Sequence, residues 1–275
     1  MDRKRPELLV LGHVTRDETP HGLRLGGTGA YAALAAARLG VTTALVTVAP
    51  TDDPLLAALR DVPNLLLHVV PDVAMTTFSL DDTGPQRRLF LRARARSLTL
   101  ADVPGALRAA PVVYVGPVAA ECDRALVASF RGQFVGAGLQ GWLRRAVSGA
   151  GQEGDGRVLP ALLPEVTDSA RLPLAVAVLS ELDHPEAEDL AQRFAAAGAT
   201  VAITRGARGS TLLVGKTRLE VPAAPAVEVD PTGAGDVFGV VLTLHLARGA
   251  DARTAVAAAA EAAARVVEGP GLGRL

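Results

Sequence analysis

Cysteine, aromatic side chains and long apolar runs are what this chain of 275 residues has little of. The one cysteine, Cys122, excludes an intramolecular disulfide and a thiolate metal cluster, and fits a reducing compartment. A formal net charge of −1 leaves no global basic field of the kind nucleic-acid binding relies on, so small molecules are the expected partners, not nucleic acid. The longest uncharged apolar stretch, from Val237 to Ala247, is about half of the roughly 20 residues that span a bilayer, so no membrane partner is expected. Met1 to Pro6 leads into a short apolar run, Leu8–Leu11, too brief for a secretory signal, which gives a cytoplasmic expectation. The histidines at 13, 21, 68, 184 and 245 show no metal-ligand spacing, and neither a P-loop string nor a Gly-x-Ser-x-Gly elbow occurs. Aromatics at 3%, a basic set of Arg with only Lys4 and Lys216, and abundant Ala are compositional bias without functional content.

What the chain does have is 49% apolar residues, enough to bury one large core, so 1–275 is expected to form a single domain. Buried strands are predicted at Leu8–Val14, Thr42–Val48, Leu65–Val70, Val112–Gly116, Gln133–Gly136, Leu174–Leu179 and Thr200–Thr204. Between them the pattern predicts helices at Thr28–Leu39, Asp52–Arg60, Ala101–Ala109, Glu121–Phe130, Gln140–Val147, Pro185–Ala197, Asp236–Arg248 and Ala252–Val267. Strands spaced by helices argue an α/β fold: a doubly wound, mainly parallel sheet with helices on both faces. Met75–Leu80 and Arg87–Ala93 break the rhythm and read as a β-hairpin around the turn-rich Asp81–Gln86. Its arginines 87, 88, 92, 94 and 96 read as a solvated face that protects a sheet edge. Ser148–Arg157, rich in glycine, reads as a flexible loop.

The most informative string is Asp230-Pro231-Thr232-Gly233-Ala234-Gly235-Asp236, followed at once by an apolar helix. Gly233 and Gly235 allow a turn whose amide N–H groups converge on an anion at the positive end of that helix. Asp236 in the first helical turn faces the same anion and can take a proton from a hydroxyl that attacks a phosphate held there. Caps and turns alone also favour these residue types.

The full string resembles the C-terminal signature of the ribokinase-like (PfkB) carbohydrate kinase family. That resemblance implies a ribokinase-like fold with small β lid elements, here about 15–25 and 74–96. It assigns the catalytic base to Asp236 and anion-hole donors to Gly233, Ala234 and Gly235, with Pro231 where Thr is commoner. Asp17 and the pair Gly26-Gly27, both placed at the carboxyl end of the sheet, match the family's substrate-binding pattern. A carboxylate accepts two hydroxyl hydrogen bonds well, which suits Asp17 to a polyol. Thr204, Gly206 and Gly209 stand where the family lines its nucleotide, with Arg205 and Arg208 able to offset phosphate charge. Ser180 and Asp183 stand where Asn-x-x-Glu organises Mg²⁺ waters. They also read as a plain capping box. Gly138 departs from the polar, often acidic, residue of several relatives, leaving Gln140 and Arg144 as neighbours able to contact substrate, and Trp142 as packing.

The expected activity is phosphoryl transfer from ATP, with Mg²⁺ and, as an added candidate, a monovalent cation, to a hydroxyl of a small sugar, polyol or nucleoside. A homodimer is a further candidate. Two other classes compete. Gly27 to Ala32 meets a Gly-x-Gly-x-x-Ala dinucleotide pattern, but about a dozen residues separate it from the first strand, whereas a Rossmann turn follows its strand directly. A regulator that kept the fold and lost catalysis is the other: the altered 138, 180 and 183 positions keep it open, while the intact Asp236 and its glycines speak against it.

Overall fold

The computed structural model describes residues 5–81, 88–148, 155–169 and 172–274. In chain order the elements are β1 Leu8–Leu11, β2 Thr15–Thr19, β3 Gly22–Gly26, α1 Thr28–Arg38, β4 Thr43–Ala49, β5 Leu65–Pro71, β6 Thr76–Asp81, β7 Arg88–Ala93 and β8 Val112–Val115. They continue with α2 Arg124–Ala128, β9 Phe134–Gly138, β10 Arg144–Ser148, β11 Asp155–Pro160, α3 Pro164–Thr167, β12 Val176–Ser180, α4 Ala187–Ala196, β13 Thr200–Thr204, β14 Ser210–Val214, β15 Thr217–Val221, α5 Ala234–Ala247 and α6 Ala252–Val267.

Nine strands form the main sheet in the order β15-β14-β13-β12-β9-β8-β1-β4-β5. The run from β13 to β5 is parallel, and β14 and β15 add an antiparallel edge. Buried parallel strands bury both faces, and β1 shows it: Leu9 and Leu11 join the core shared with α2 and α4, while Leu8 and Val10 join the core shared with α1, α5 and α6. The doubly wound α/β expectation is met.

A second sheet of six strands, order β10-β11-β7-β6-β2-β3, holds both segments expected as lid elements. The hairpin read from the sequence is present as β6 and β7, antiparallel with Leu80 opposite Leu89; its turn, and Arg87, lie outside the described residues. β2 and β3 form another hairpin, and β2 runs parallel to β6 with Asp17 in register with Phe78.

Several expected helices are corrected. The segment 140–147 is a 3₁₀ turn, Gln140–Trp142, that passes into β10. Trp142 is fully buried and donates its indole N–H to the Cys122 carbonyl (2.7 Å), which halts the helical path and turns the chain into the small sheet. Its strand partner β11 lies beyond the glycines, so local pattern gave no sign of it. The described ends of Ser148–Arg157 are accordingly strand, and 149–154 lie outside the described residues. The expected helices at 52–60 and 101–109 are 3₁₀ segments, Pro54–Leu59 and Leu100–Asp102. That at 121–130 shrinks to α2, capped by Asp123, whose carboxylate accepts from the Leu126 N–H at 2.7 Å. Glu121 is held out of that helix by other work: fully buried, it accepts from the backbone N–H groups of His13 (2.9 Å), Val118 (3.0 Å) and Ala119 (2.7 Å), clamping the loop after β8 to the end of β1. Among the described residues no helix is long and apolar enough to cross a membrane.

Candidate active site

A cleft of about 820 Å³ lies between the carboxyl end of the main sheet and the inner face of the small one. Another hollow, about 530 Å³ against β5, contains none of the residues singled out by sequence.

At the centre of the cleft is the turn into α5. Asp230 opens it by accepting from the Thr232 N–H at 3.0 Å, while its other oxygen accepts from Gly271 N–H (3.2 Å) and from Arg24 of β3 (3.3 Å). Gly233 sits at φ +84°, and a β-carbon there would fall 2.0 Å from the Tyr31 ring, so both conformation and space demand glycine. The Ala234 N–H turns back to the Pro231 carbonyl at 3.3 Å, and the first helical bond runs from Val237 N–H to Gly233 O at 3.0 Å. The N–H groups of Gly235 and Asp236 therefore take no main-chain acceptor among the described residues and stand at the helix's positive end. Val237 to Leu244 are buried behind them, which fixes where that end points.

Asp236 is half-buried at the floor of the cleft. Thr28, at the start of α1, donates its hydroxyl to Asp236 Oδ1 at 2.7 Å. Burial pushes the carboxyl up to about 6, against the opposing pull of that hydrogen bond. The acid is thus ionised at neutral pH yet basic enough to accept a proton.

On the acceptor side, Asp17 projects from β2 and accepts from Thr15 Oγ1 at 2.8 Å. Gly26 lies under it: a β-carbon there would sit 2.1 Å from Asp17 Oδ2. Gly27, at φ +86°, closes against the His13 carbonyl and starts α1, the helix that carries Thr28. The two glycines seat a carboxylate and a helix start.

Toward the other end, Thr204, Gly206 and Gly209 line the cleft between β13 and β14. Arg205 and Arg208 are engaged elsewhere: Arg205 pairs with Glu181 (3.1 Å) and Glu188, and Arg208 with Glu181. They hold the sheet edge together. Asp183 accepts from Ser180 N–H (2.7 Å) and Gln140 (3.2 Å), and burial raises its carboxyl. Leu182 N–H bonds to Ser180 Oγ, but this turn does not head a helix; α4 begins at Ala187. Among the described residues no cluster of three or more His, Cys, Asp or Glu could hold a metal, so Asp183 fits Mg²⁺ only through the ion's water shell.

Sequence reading missed four residues that line this cleft. Thr28 had a signal, its place directly after Gly27. Tyr114 Oη and Ser210 Oγ are buried polar atoms without a hydrogen-bond partner among the described residues, and register puts Ser210 opposite Thr204. Phe78 had no signal beyond strand alternation.

Comparisons with known proteins speak to the fold. The family described as pfkB family carbohydrate kinase matches residues 175–274. No curated protein matches the sequence. A pyrophosphate-dependent kinase in the ribokinase family, solved with a pyrophosphate analog and myo-inositol, superposes with a TM-score of 0.79 at 17% identity, over 96% of this chain and 96% of its own. Arabidopsis thaliana ribokinase with ribose and ATP gives 0.70 at 19% identity, over 97% and 94%. Aminoimidazole riboside kinase from Salmonella enterica, with aminoimidazole riboside and an ATP analog, gives 0.68 at 20% identity, over 96% and 94%. The fold is ribokinase-like.

Proposed function

We propose, on the premise that residues 175–274 belong to the pfkB family of carbohydrate kinases, that this chain transfers the γ-phosphoryl group of ATP to a hydroxyl of a small sugar, polyol or nucleoside. The observation that carries the reading is Asp236, a carboxyl raised to about 6 beside the Gly235 and Asp236 N–H groups, which take no main-chain acceptor among the described residues.

The acceptor hydroxyl, oriented by Asp17, gives its proton to Asp236 as its oxygen bonds to the γ-phosphorus and the bond to the β-phosphate oxygen breaks, releasing ADP. The N–H groups of Gly235 and Asp236, with the turn around Gly233 and Ala234, meet the charge on the transferring group. Thr28 holds the Asp236 carboxylate in place through its hydroxyl. Mg²⁺ would neutralise the donor's phosphates, met by Asp183 through water. Thr204, Gly206 and Gly209 border the donor end, and Ala260, Ala263, Ala264 and Val267 of α6 add apolar surface to the same cleft, of the kind a flat base packs against. The likeness to a pyrophosphate-dependent kinase favours a second donor, inorganic pyrophosphate.

A coupled assay with ATP or pyrophosphate against pentoses, hexoses, inositols and nucleosides tests both donors. Acceptor-dependent product with ATP is the expected result. Saturable ligand binding with no transfer from either donor would replace the kinase reading with a binding protein.

A further inference from the structure

Arg144 is a cation of the acceptor end. It enters the cleft from β10, and burial lowers its basicity although Asp183, Asp236 and Asp17 all favour its charged form. Its guanidinium lies over the Phe78 ring, 5.0 Å from the centroid, so one face is covered. Its Nε (3.0 Å) and Nη2 (2.7 Å) both donate to the Val118 carbonyl. That carbonyl is itself held: Glu121, buried, clamps the Val118 and Ala119 N–H groups, and Arg94 donates to the carbonyls of Ala119 (2.8 Å) and Ala120 (3.2 Å). Nη1 makes no hydrogen bond among the described residues. The distal Nη1/Nη2 edge is therefore fixed and open to a ligand.

What faces that edge follows from register. Asp17 and Phe78 are paired residues of neighbouring strands, so their side chains stand side by side on the inner face of the small sheet, and Arg144 lies over Phe78. An acceptor and a pair of donors thus flank one aromatic ring. Adjacent hydroxyls of a polyol ring match this: their oxygens accept from the two nitrogens while one O–H donates to Asp17, and Phe78, Leu80 and Leu89 meet the ring's C–H surface. An anionic acceptor matches poorly, because among the described residues the carboxylates of Asp17, Asp183, Asp230 and Asp236 outnumber the guanidiniums of Arg144 and Arg24, and Arg24 is already paired with Asp230.

We infer that Arg144 is an acceptor-specificity residue of this enzyme: with Asp17 it reads adjacent hydroxyls of a neutral polyol, while the surrounding carboxylates turn away phosphorylated or carboxylated sugars. This rests on the kinase reading and adds to it the class of acceptor.

The test compares wild type, Arg144→Gln and Arg144→Lys with myo-inositol, D-ribose and D-fructose, with their phosphate monoesters, and with D-gluconate. Wild type is expected to turn over the neutral set and not the anionic one. Arg144→Gln should raise KM for the preferred polyol about 10- to 100-fold, as expected for losing hydrogen bonds from a charged donor, with donor KM and kcat held. Arg144→Lys keeps the charge but not the planar edge, and should give a smaller rise even if the Gln variant does not fold. A fall in kcat with acceptor KM unmoved would show Arg144 acting on the transferred group and overturn the assignment, as would preference for an anionic sugar. If no compound is phosphorylated, the kinase reading fails, and Arg144 is judged by thermal melts. Neutral polyols must then shift the wild type and not the variants, and the absence of any wild-type shift overturns the inference too.

Discussion

The turn that heads α5 and the inner face of the small sheet border the same cleft but are built by opposite means. The turn is one contiguous segment, 230–236, whose geometry is set by its own glycines and by the buried helix it begins. The small sheet draws Asp17, Phe78, Leu89 and Arg144 from four strands spread over more than a hundred residues. A site of the first kind tolerates little sequence change, because each residue shapes the next. The second kind can exchange one wall residue while the others stay, which suits it to setting acceptor choice. Chemistry should therefore respond to changes in the turn, and acceptor affinity to changes in the small sheet.

Asp236→Asn is the strongest test of that division. Loss of a general base costs about 10²–10⁴-fold in turnover, roughly 3–5 kcal/mol of barrier, while acceptor binding measured by calorimetry should survive. Wild-type turnover should also fall tenfold per pH unit below about 6, where the Asp236 carboxylate takes up its proton, and the limb should vanish from the residual rate of the Asn variant. Unchanged turnover in Asp236→Asn would remove the base from this residue and the division with it.

Gly233→Ala comes next. The backbone at φ +84° and the Tyr31 ring 2.0 Å from the added carbon each oppose the change, so a loss of about 1–3 kcal/mol in stability is expected, with turnover falling as the amides of the turn are displaced. Thermal melting and kcat together check it; a full-rate variant of normal stability would mean the turn is softer than its geometry implies.

This contrast also explains what could be read from the sequence. The turn, its acid and the parallel sheet were legible because their signals are local: Gly233 and Gly235 within a few residues of Asp236, and apolar strands spaced by helices. β10 was misread as helix because what makes it a strand is β11, beyond the glycines, and the burial of Trp142 beneath Cys122. Arg205 and Arg208 looked free for phosphate because Glu181 and Glu188, their partners, lie on other elements. Thr28 had only its place after Gly27 to mark it, because its bond to Asp236 joins residues at opposite ends of the chain, which no window of sequence contains.

Phe78→Ala probes the small sheet alone. Removing the ring under Arg144 forfeits a cation–π contact of about 0.5–2 kcal/mol, so acceptor KM should rise about 2- to 30-fold with kcat retained. A matching fall in kcat would show that the two regions act as one unit.

The smallest expected effect is on stability, and it carries the opposite sign to the effect on rate. The folded-state Asp236 carboxyl is raised from 3.8 to about 6, so the folded protein holds a proton there that the unfolded chain gives up between those values. Its ionised form is a cost to the fold, fully present above about pH 6 and relieved as pH falls toward 4. A pKa displacement of that size corresponds to roughly 3 kcal/mol for a sealed site, and the side chain's opening to the cleft reduces this to about 1 kcal/mol. Asp236→Asn should therefore melt about 2–4 °C higher than wild type at pH 7.5, with the advantage fading near pH 4.5. An Asn variant that melts lower at neutral pH would mean that Thr28 and the neighbouring amides stabilise the charge more than burial opposes it. The turn would then be a site built to hold a carboxylate at rest, not one that keeps it poised to take a proton.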